Sequence, residues 1–445
     1  MNFTDKMEKY LVPVAAKLSA NRYLIALRDA FAFLVPFVIT GSIFGLISWV
    51  VLDPSGTVMG DVGLNIGHMI TGLSGKAYLA SGFVVILNKL IYMCNAVITG
   101  SFSVIALMLT LSLSMKVGEL NDADPKMTSL IGLCCYLILL PQSIVQTLAN
   151  GKKVTFDSAY SVTNFSSSAI VTAIIVSFVF VGLFTKLQKN KKLRIVLPDS
   201  VPPAVSESFS SLLPISLTLS LAGLVCGLLY WLGLPSLNDL IYNIIQAPLT
   251  GFSQGIGFGI LYVFIQQILW WFGIHGGNIT SPIEGAVYLP AQVSNMTEHT
   301  HYIFTNSFFG AIGCHNLGLL LAIFVFSKKA DWRAIGKLAI GPTIFNIGEP
   351  LMFGLPIMLN PILLIPSILA PIMNVIIGFL AMSLKLVPVF KFSVPWTVPA
   401  VLNGALGTGS ISGGIMQAVY VLSSFLIYAP FVIAYNKIDL KNSVS

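Results

Sequence analysis

Charge is what this chain has least of: Asp, Glu, Lys and Arg together make up 9% of its 445 residues, against about a quarter in a soluble domain. So thin a supply cannot clothe a water-facing surface, which excludes a soluble enzyme. The net charge of +7 forms no face for nucleic acid either, because the basic residues sit in short loops beside apolar runs. Cysteine is sparse as well. Cys94, Cys134, Cys135, Cys226 and Cys314 fall in or beside apolar stretches without metal-ligand spacing, so they read as core packing, and neither a metal nor a cofactor is expected. The N-terminus lacks an apolar leader, being polar and amphipathic where a signal peptide's hydrophobic region would begin. Residues 1–27 read instead as a helix lying on the inner membrane surface.

Apolar residues fill the gap, at 56% of the chain. Runs near the roughly 20 residues that cross about 30 Å of hydrocarbon cover 29–51, 127–149, 165–184, 209–232, 303–326, 361–384 and 413–435, with further spans inside 79–115 and 240–274. The expected fold is an all-α polytopic membrane protein of about ten transmembrane helices plus two re-entrant hairpins. Lysines and arginines cluster before the first run, at 186–194, at 328–337 and at the end, and the positive-inside rule puts all four clusters and both termini in the cytoplasm. Successive clusters must then be separated by an even number of crossings. The polar-dotted segment 237–255 is accordingly expected to lie in the membrane interface. Pro198, Pro202 and Pro203 forbid a helix through 186–208, which reads as a cytoplasmic linker between an N-terminal bundle, 28–185, and a C-terminal half, 209–435, followed by a tail at 436–445. The second half carries Gly, Pro, Asn and His at membrane depth, with long turns at 275–306 and 385–414. Discontinuous helices of that kind form transporter sites, so 209–435 reads as the substrate-binding transport domain.

Two constellations in that half carry chemistry. The first is Trp270-Trp271-Phe272-Gly273-Ile274-His275-Gly276-Gly277-Asn278, where an imidazole follows an aromatic run among glycines that permit sharp turns. Aromatic faces beside directed hydrogen-bonders suit sugars, which makes His275, Gly276 and Asn278 candidate contacts; a histidine at a helix end bonded to a backbone carbonyl is the plainer reading. The second runs from Ala339 through Asn346, Ile347, Gly348, Glu349 and Pro350 to Pro356. An ionisable side chain inside an apolar run is expensive and marks a substrate or ion pathway, and backbone this rich in Gly and Pro stays non-helical at membrane depth only where protein buries it or a watery cavity meets it. Glu349 therefore reads as an acceptor of sugar hydroxyls and a general base toward one of them, with Asn346 beside it; a carboxylate satisfied by a lysine or by helix amides is the structural alternative. Asn360, Asn374, Asn403 and Gln417 either line a cavity or glue helices together. Trp396, in Pro395-Trp396-Thr397-Val398-Pro399, is either an interfacial anchor or a sugar-stacking ring.

On these segments, and on Tyr23 to Phe31 with Pro36, Gly41 and Ser42, Leu197 to Pro203, Phe272 to Gly276 and Phe345 to Pro361, the chain resembles the membrane component, enzyme IIC, of the lactose, cellobiose and diacetylchitobiose branch of the bacterial sugar phosphotransferase system. The resemblance implies a homodimer in the bacterial cytoplasmic membrane, joined through its N-terminal half, whose C-terminal half carries a β-linked disaccharide inward. It also implies phosphorylation of that sugar by a separate phosphorylated enzyme IIB, and it gives His275 and Glu349 the sugar contacts of two hairpins. Two departures stand out. Gly348 replaces the asparagine of the family's Asn-Glu-Pro motif, and Gly313-Cys314-His315-Asn316 stands where a Gly-Gly pair is usual. Two other functions fit the residues: an ion-coupled sugar transporter with Glu349 as coupling site, and a membrane sensor that binds sugar without moving it.

Overall fold

A computed structural model of the chain describes residues 20–442 apart from 57, 61–63, 102, 148–151, 196–197, 199–208, 273–274, 356 and 358–360; the side chains of 147, 278, 349, 353, 361–362 and 437–442 are likewise outside the description. Helix dominates. Seven helices among the described residues are long and apolar enough to cross a membrane: Arg22–Val51, Gly82–Leu120, Ser167–Lys189, Leu212–Trp231, Asn306–Phe326, Leu363–Ser383 and Ile411–Asn436. The broken pair Leu237–Ser253 and Ile256–Trp271 makes up to eight. At 39 residues, Gly82–Leu120 exceeds what one crossing needs. Of the expected surface helix, residues 1–19 lie outside the described part, and from Arg22 the chain runs on as helix to Leu46. Most of the proposed linker is likewise undescribed.

The chain clusters into two compact units. Of the described residues, one comprises those in 20–37 and 101–250, the other those in 38–100 and 251–442. In the first, helix Pro125–Leu139 opens on Asp124, whose carboxylate accepts from the amides of Lys126 and Met127, an N-cap followed by proline at the first helical position. It packs on Ile105–Leu120 through glycines: a Cβ on Gly118 or Gly132 would run into Thr128 or Ser114, the close approach that small residues allow between membrane helices. The helix stops at Leu139, short of the expected span 127–149, because Leu140 turns extended before Pro141. The chain then forms an antiparallel pair, Ser143–Thr147 with Lys153–Asp157, Ser143 opposite Asp157 and Thr147 opposite Lys153. An otherwise helical fold thus carries one small β-hairpin among the described residues.

The segment 237–255, expected as an interfacial helix, is helical over Leu237–Ser253 and bends by 79° into Ile256–Trp271. Asn238 and Gln246 are 3% and 4% exposed. Asn238 accepts from Thr172 Oγ1 at 2.8 Å, and Gln246 Nε2 donates to the Ser167 carbonyl at 2.6 Å. Ile244 and Phe252 point outward instead. Polar side chains lie on both sides of the segment, since Asp239 and Asn243 are exposed while Ile241 is buried.

In the second unit an aromatic core gathers Tyr262, Tyr288, Phe304, Phe308, Phe309 and Phe390, with Phe309 ring centroids 4.7 Å from Tyr262 and 4.6 Å from Tyr288. The stretch 275–306, expected as a turn, is mostly helix: Gly276–Ile283, a π-helical turn Glu284–Tyr288 and Leu289–Thr297. Helices Pro361–Ser383 and Ile411–Asn442 are joined by polar contacts, Asn374 donating to Ser424 and accepting from Ser423.

Candidate functional site

Both constellations lie within the second unit. The first starts where helix Ile256–Trp271 ends and Gly276–Ile283 begins. His275 stands exposed in the gap between them, its ring centroid 4.3 Å from that of Trp270, so imidazole and indole form one surface. Gly276 fits because it has no side chain: a Cβ there would collide with the Gln266 carbonyl. Asn278 lies on the first turn of that helix, and its side chain is outside the description.

A polar clamp behind this gap was not singled out from the sequence. Tyr262 Oη donates to Glu284 Oε1 at 2.6 Å, and Gln266 Nε2 donates to Thr280 Oγ1 at 2.6 Å and to Tyr262 Oη at 3.1 Å. Tyr262 and Gln266 are one turn apart on one helix, and Thr280 and Glu284 one turn apart on the next, so two faces meet. A carboxylate hydrogen bond this short is of the strong, charge-assisted kind when the acid is ionised. The available signal was this pair of i, i+4 spacings on either side of the His-Gly motif.

The second constellation is a broken helix. Pro342 lies in the last turn of Ala330–Ile344, and the chain closes with Phe345 and Ile347 amides donating to the Pro342 carbonyl at 3.0 and 2.9 Å. Asn346 takes a positive φ of 60°, a conformation asparagine tolerates better than most residues. After Gly348 a six-residue helix, Glu349–Gly354, begins with Pro350 in its first turn. The backbone thus unwinds over 345–348 immediately before the acid, whose side chain is outside the description.

Asn346 and Trp396 are brought together, through backbone. Asn346 Nδ2 donates to the carbonyls of Trp396 and Val398 at 2.8 and 2.9 Å, while its Oδ1 is enclosed without a partner among the described residues. The donor end of this amide therefore holds the 395–399 turn. Asn403 Nδ2 braces the same turn at the Pro395 carbonyl. The Trp396 ring is 53% exposed, open for stacking. Gln417 is structural: its Oε1 accepts from the Val401 and Gly404 amides and its Nε2 donates to the Ala311 carbonyl at 3.0 Å. Among the described residues no group of three or more His, Cys, Asp or Glu side chains is placed to hold a metal ion.

Broken helices that carry hydrogen-bonding side chains within an apolar helical body point to a class, the integral membrane transporters. The chain belongs to a particular family of that class, for the profile described as phosphotransferase system, EIIC matches residues 28–371. It is 32% identical to the oligo-beta-mannoside-specific EIIC component of Bacillus subtilis, over 98% of this chain and 95% of that one. It is 28% identical to the cellobiose-specific EIIC component of Lactococcus lactis, over 98% of each. The crystal structure of the transporter ChbC, the IIC component of the N,N'-diacetylchitobiose-specific phosphotransferase system, superposes with a TM-score of 0.85 at 27% identity, covering 99% of both chains. The chain is thus a sugar permease component of a phosphotransferase system, integral to the bacterial cell membrane. The ion-coupled reading of Glu349 is not favoured.

Proposed function

We propose that the chain binds a β-linked disaccharide of the cellobiose, chitobiose or lactose type in residues 209–435 and carries it inward for phosphorylation by an enzyme IIB. His275, Gly276, Asn278, Asn346, Glu349 and Trp396 contact the sugar, with Glu349, and secondarily His275, accepting a hydroxyl proton. The observation that carries this reading is the unwound backbone of 345–348 directly before Glu349, since irregular backbone at membrane depth is tolerated only where protein buries it or it lines a watery cavity. The substrate class is supported by the relatives' names, which specify oligo-beta-mannoside, cellobiose and N,N'-diacetylchitobiose. The lactose-specific EIICB component of Streptococcus mutans, 29% identical over 96% of this chain and 71% of that one, joins a B part to the C part by name, which supports a IIB partner. About ten crossings, a homodimer joined through the N-terminal half, and cytoplasmic termini complete the reading.

The test is uptake of labelled disaccharides into vesicles with and without phosphorylated IIB. Phosphorylated sugar should accumulate only with the donor, and Glu349→Gln should lower sugar affinity at least tenfold, about 1.4 kcal/mol, while the protein stays folded. Equal accumulation without IIB, or wild-type affinity in the variant, overturns the proposal.

A further inference from the structure

Gly348 has ordinary backbone angles, φ −89° and ψ −14°, so its conformation does not require glycine. Its surroundings do. A Cβ at this position would run into Asn316 Nδ2 and lie 3.0 Å from Asn316 Cγ. Asn316 sits in the first turn of helix His315–Phe326 and is 8% exposed. Its Oδ1 is fully enclosed, with no hydrogen-bond partner among the described residues. Buried amides are nearly always paired, and one that is not asks for a reason. The reason lies in its position, since Gly348 is the residue immediately before Glu349. Around the same turn Thr343 Oγ1 and Asn346 Oδ1 are also enclosed and unpartnered among the described residues. Three polar groups without partners among the described residues thus belong to residues 343 and 346 and to the Asn316 that packs on Gly348.

We propose that Asn316 is a specificity-determining residue: reaching across from a neighbouring helix, its amide occupies the space that a side chain at position 348 would take and hydrogen-bonds a ring hydroxyl of the disaccharide held beside Glu349. The two departures from the family pattern noted in the sequence are then one feature, because the glycine at 348 opens the volume that Asn316 fills. A carboxamide offers a donor at one end and an acceptor at the other. A sugar hydroxyl both donates and accepts, so it pairs with either. An amide fixed by packing alone can turn over to suit the hydroxyl it meets, whereas Asn346, bonded to two carbonyls, cannot.

This inference rests on the sugar site proposed above, and the experiment separates the two. Full-length protein is purified and its affinities are measured for cellobiose, lactose, N,N'-diacetylchitobiose and β-1,4-mannobiose, alongside its thermal melting. Asn316→Leu keeps the side chain's shape and removes its polar atoms, so it should melt no lower than wild type yet bind its best disaccharide at least tenfold more weakly. Gly348→Asn alone should weaken binding by collision with Asn316. The double variant Asn316→Ala with Gly348→Asn should bind more tightly than either single variant and rank the four sugars differently from wild type. If Asn316→Leu keeps wild-type affinity and ranking while Glu349→Gln loses binding, the inference fails and the site stands. Should both keep wild-type affinity, both fall.

Discussion

Val401 holds φ +72° and ψ −53° at the start of helix Leu402–Thr408, a conformation that is an outlier for a β-branched residue and of the kind that stores about 1–3 kcal/mol. Gln417 Oε1 accepts its amide at 2.9 Å and so holds it there. The side chain is 46% exposed and loses little on truncation. Val401→Gly is therefore expected to raise the melting temperature of the purified protein, by up to about 2–4 °C, and a fall would show that the contacts of the valine outweigh its strain. At this scale legibility followed chemistry. Glu349 stands out in the sequence because an acid within Ala339 to Pro356 has no cheap explanation, and His275 because glycines frame it, and both remain proposed contacts. Glu284 passed unnoticed because it lies in a stretch that read as a loop, where an acid is ordinary. Its role became visible only when Tyr262 and Gln266 appeared on the facing helix turn.

Among elements, the break at 345–348 was legible because Pro342 and Pro350 on either side of it act through backbone geometry. The stretch 275–306 was less so, since Gly277, Pro282 and Gly285 resemble loop punctuation, yet the chain there forms helix with a π-helical turn. The segment 237–253 shows the same limit, with Asn238 and Gln246 buried but Asp239 and Asn243 exposed. Polar spacing says that a helix is two-faced, but which face meets lipid depends on what the neighbours offer, here Thr172 and Ser167. The clamp of Tyr262 on Glu284 makes a prediction for its element. Tyr262→Phe removes the hydroxyl's hydrogen bonds with Glu284, Gln266 and Thr280, a cost of at least about 1 kcal/mol, while keeping the ring contacts to Phe309. Amide exchange across 276–288 should speed up about fivefold, with sugar affinity falling by a similar factor. Unchanged exchange would show that packing alone fixes the hairpin.

For the whole molecule, composition alone established the membrane class, because a chain with 9% charge has no other solvent that suits it. The number of crossings was harder to read. An apolar run does not reveal where helix stops, as 127–149 shows by ending as a strand. Long-range packing was also hidden, because it depends on glycines whose partners are remote in sequence. Gly318 is one: a Cβ there would lie 2.6 Å from the Phe425 amide nitrogen, so helices His315–Phe326 and Ile411–Asn442 meet backbone to backbone. Gly318→Leu should cost about 1–3 kcal/mol by overpacking, read as a lower melting temperature and loss of monodisperse protein in detergent; wild-type melting would mean that the helices separate freely. The amide of Asn346 has a mechanical consequence of its own. By gripping the carbonyls of Trp396 and Val398 it ties the turn ahead of Glu349 to the loop bearing the indole, so a stroke that displaces one is expected to carry the other, and Trp396 fluorescence, with the other five tryptophans replaced by phenylalanine, is the gauge that would check it.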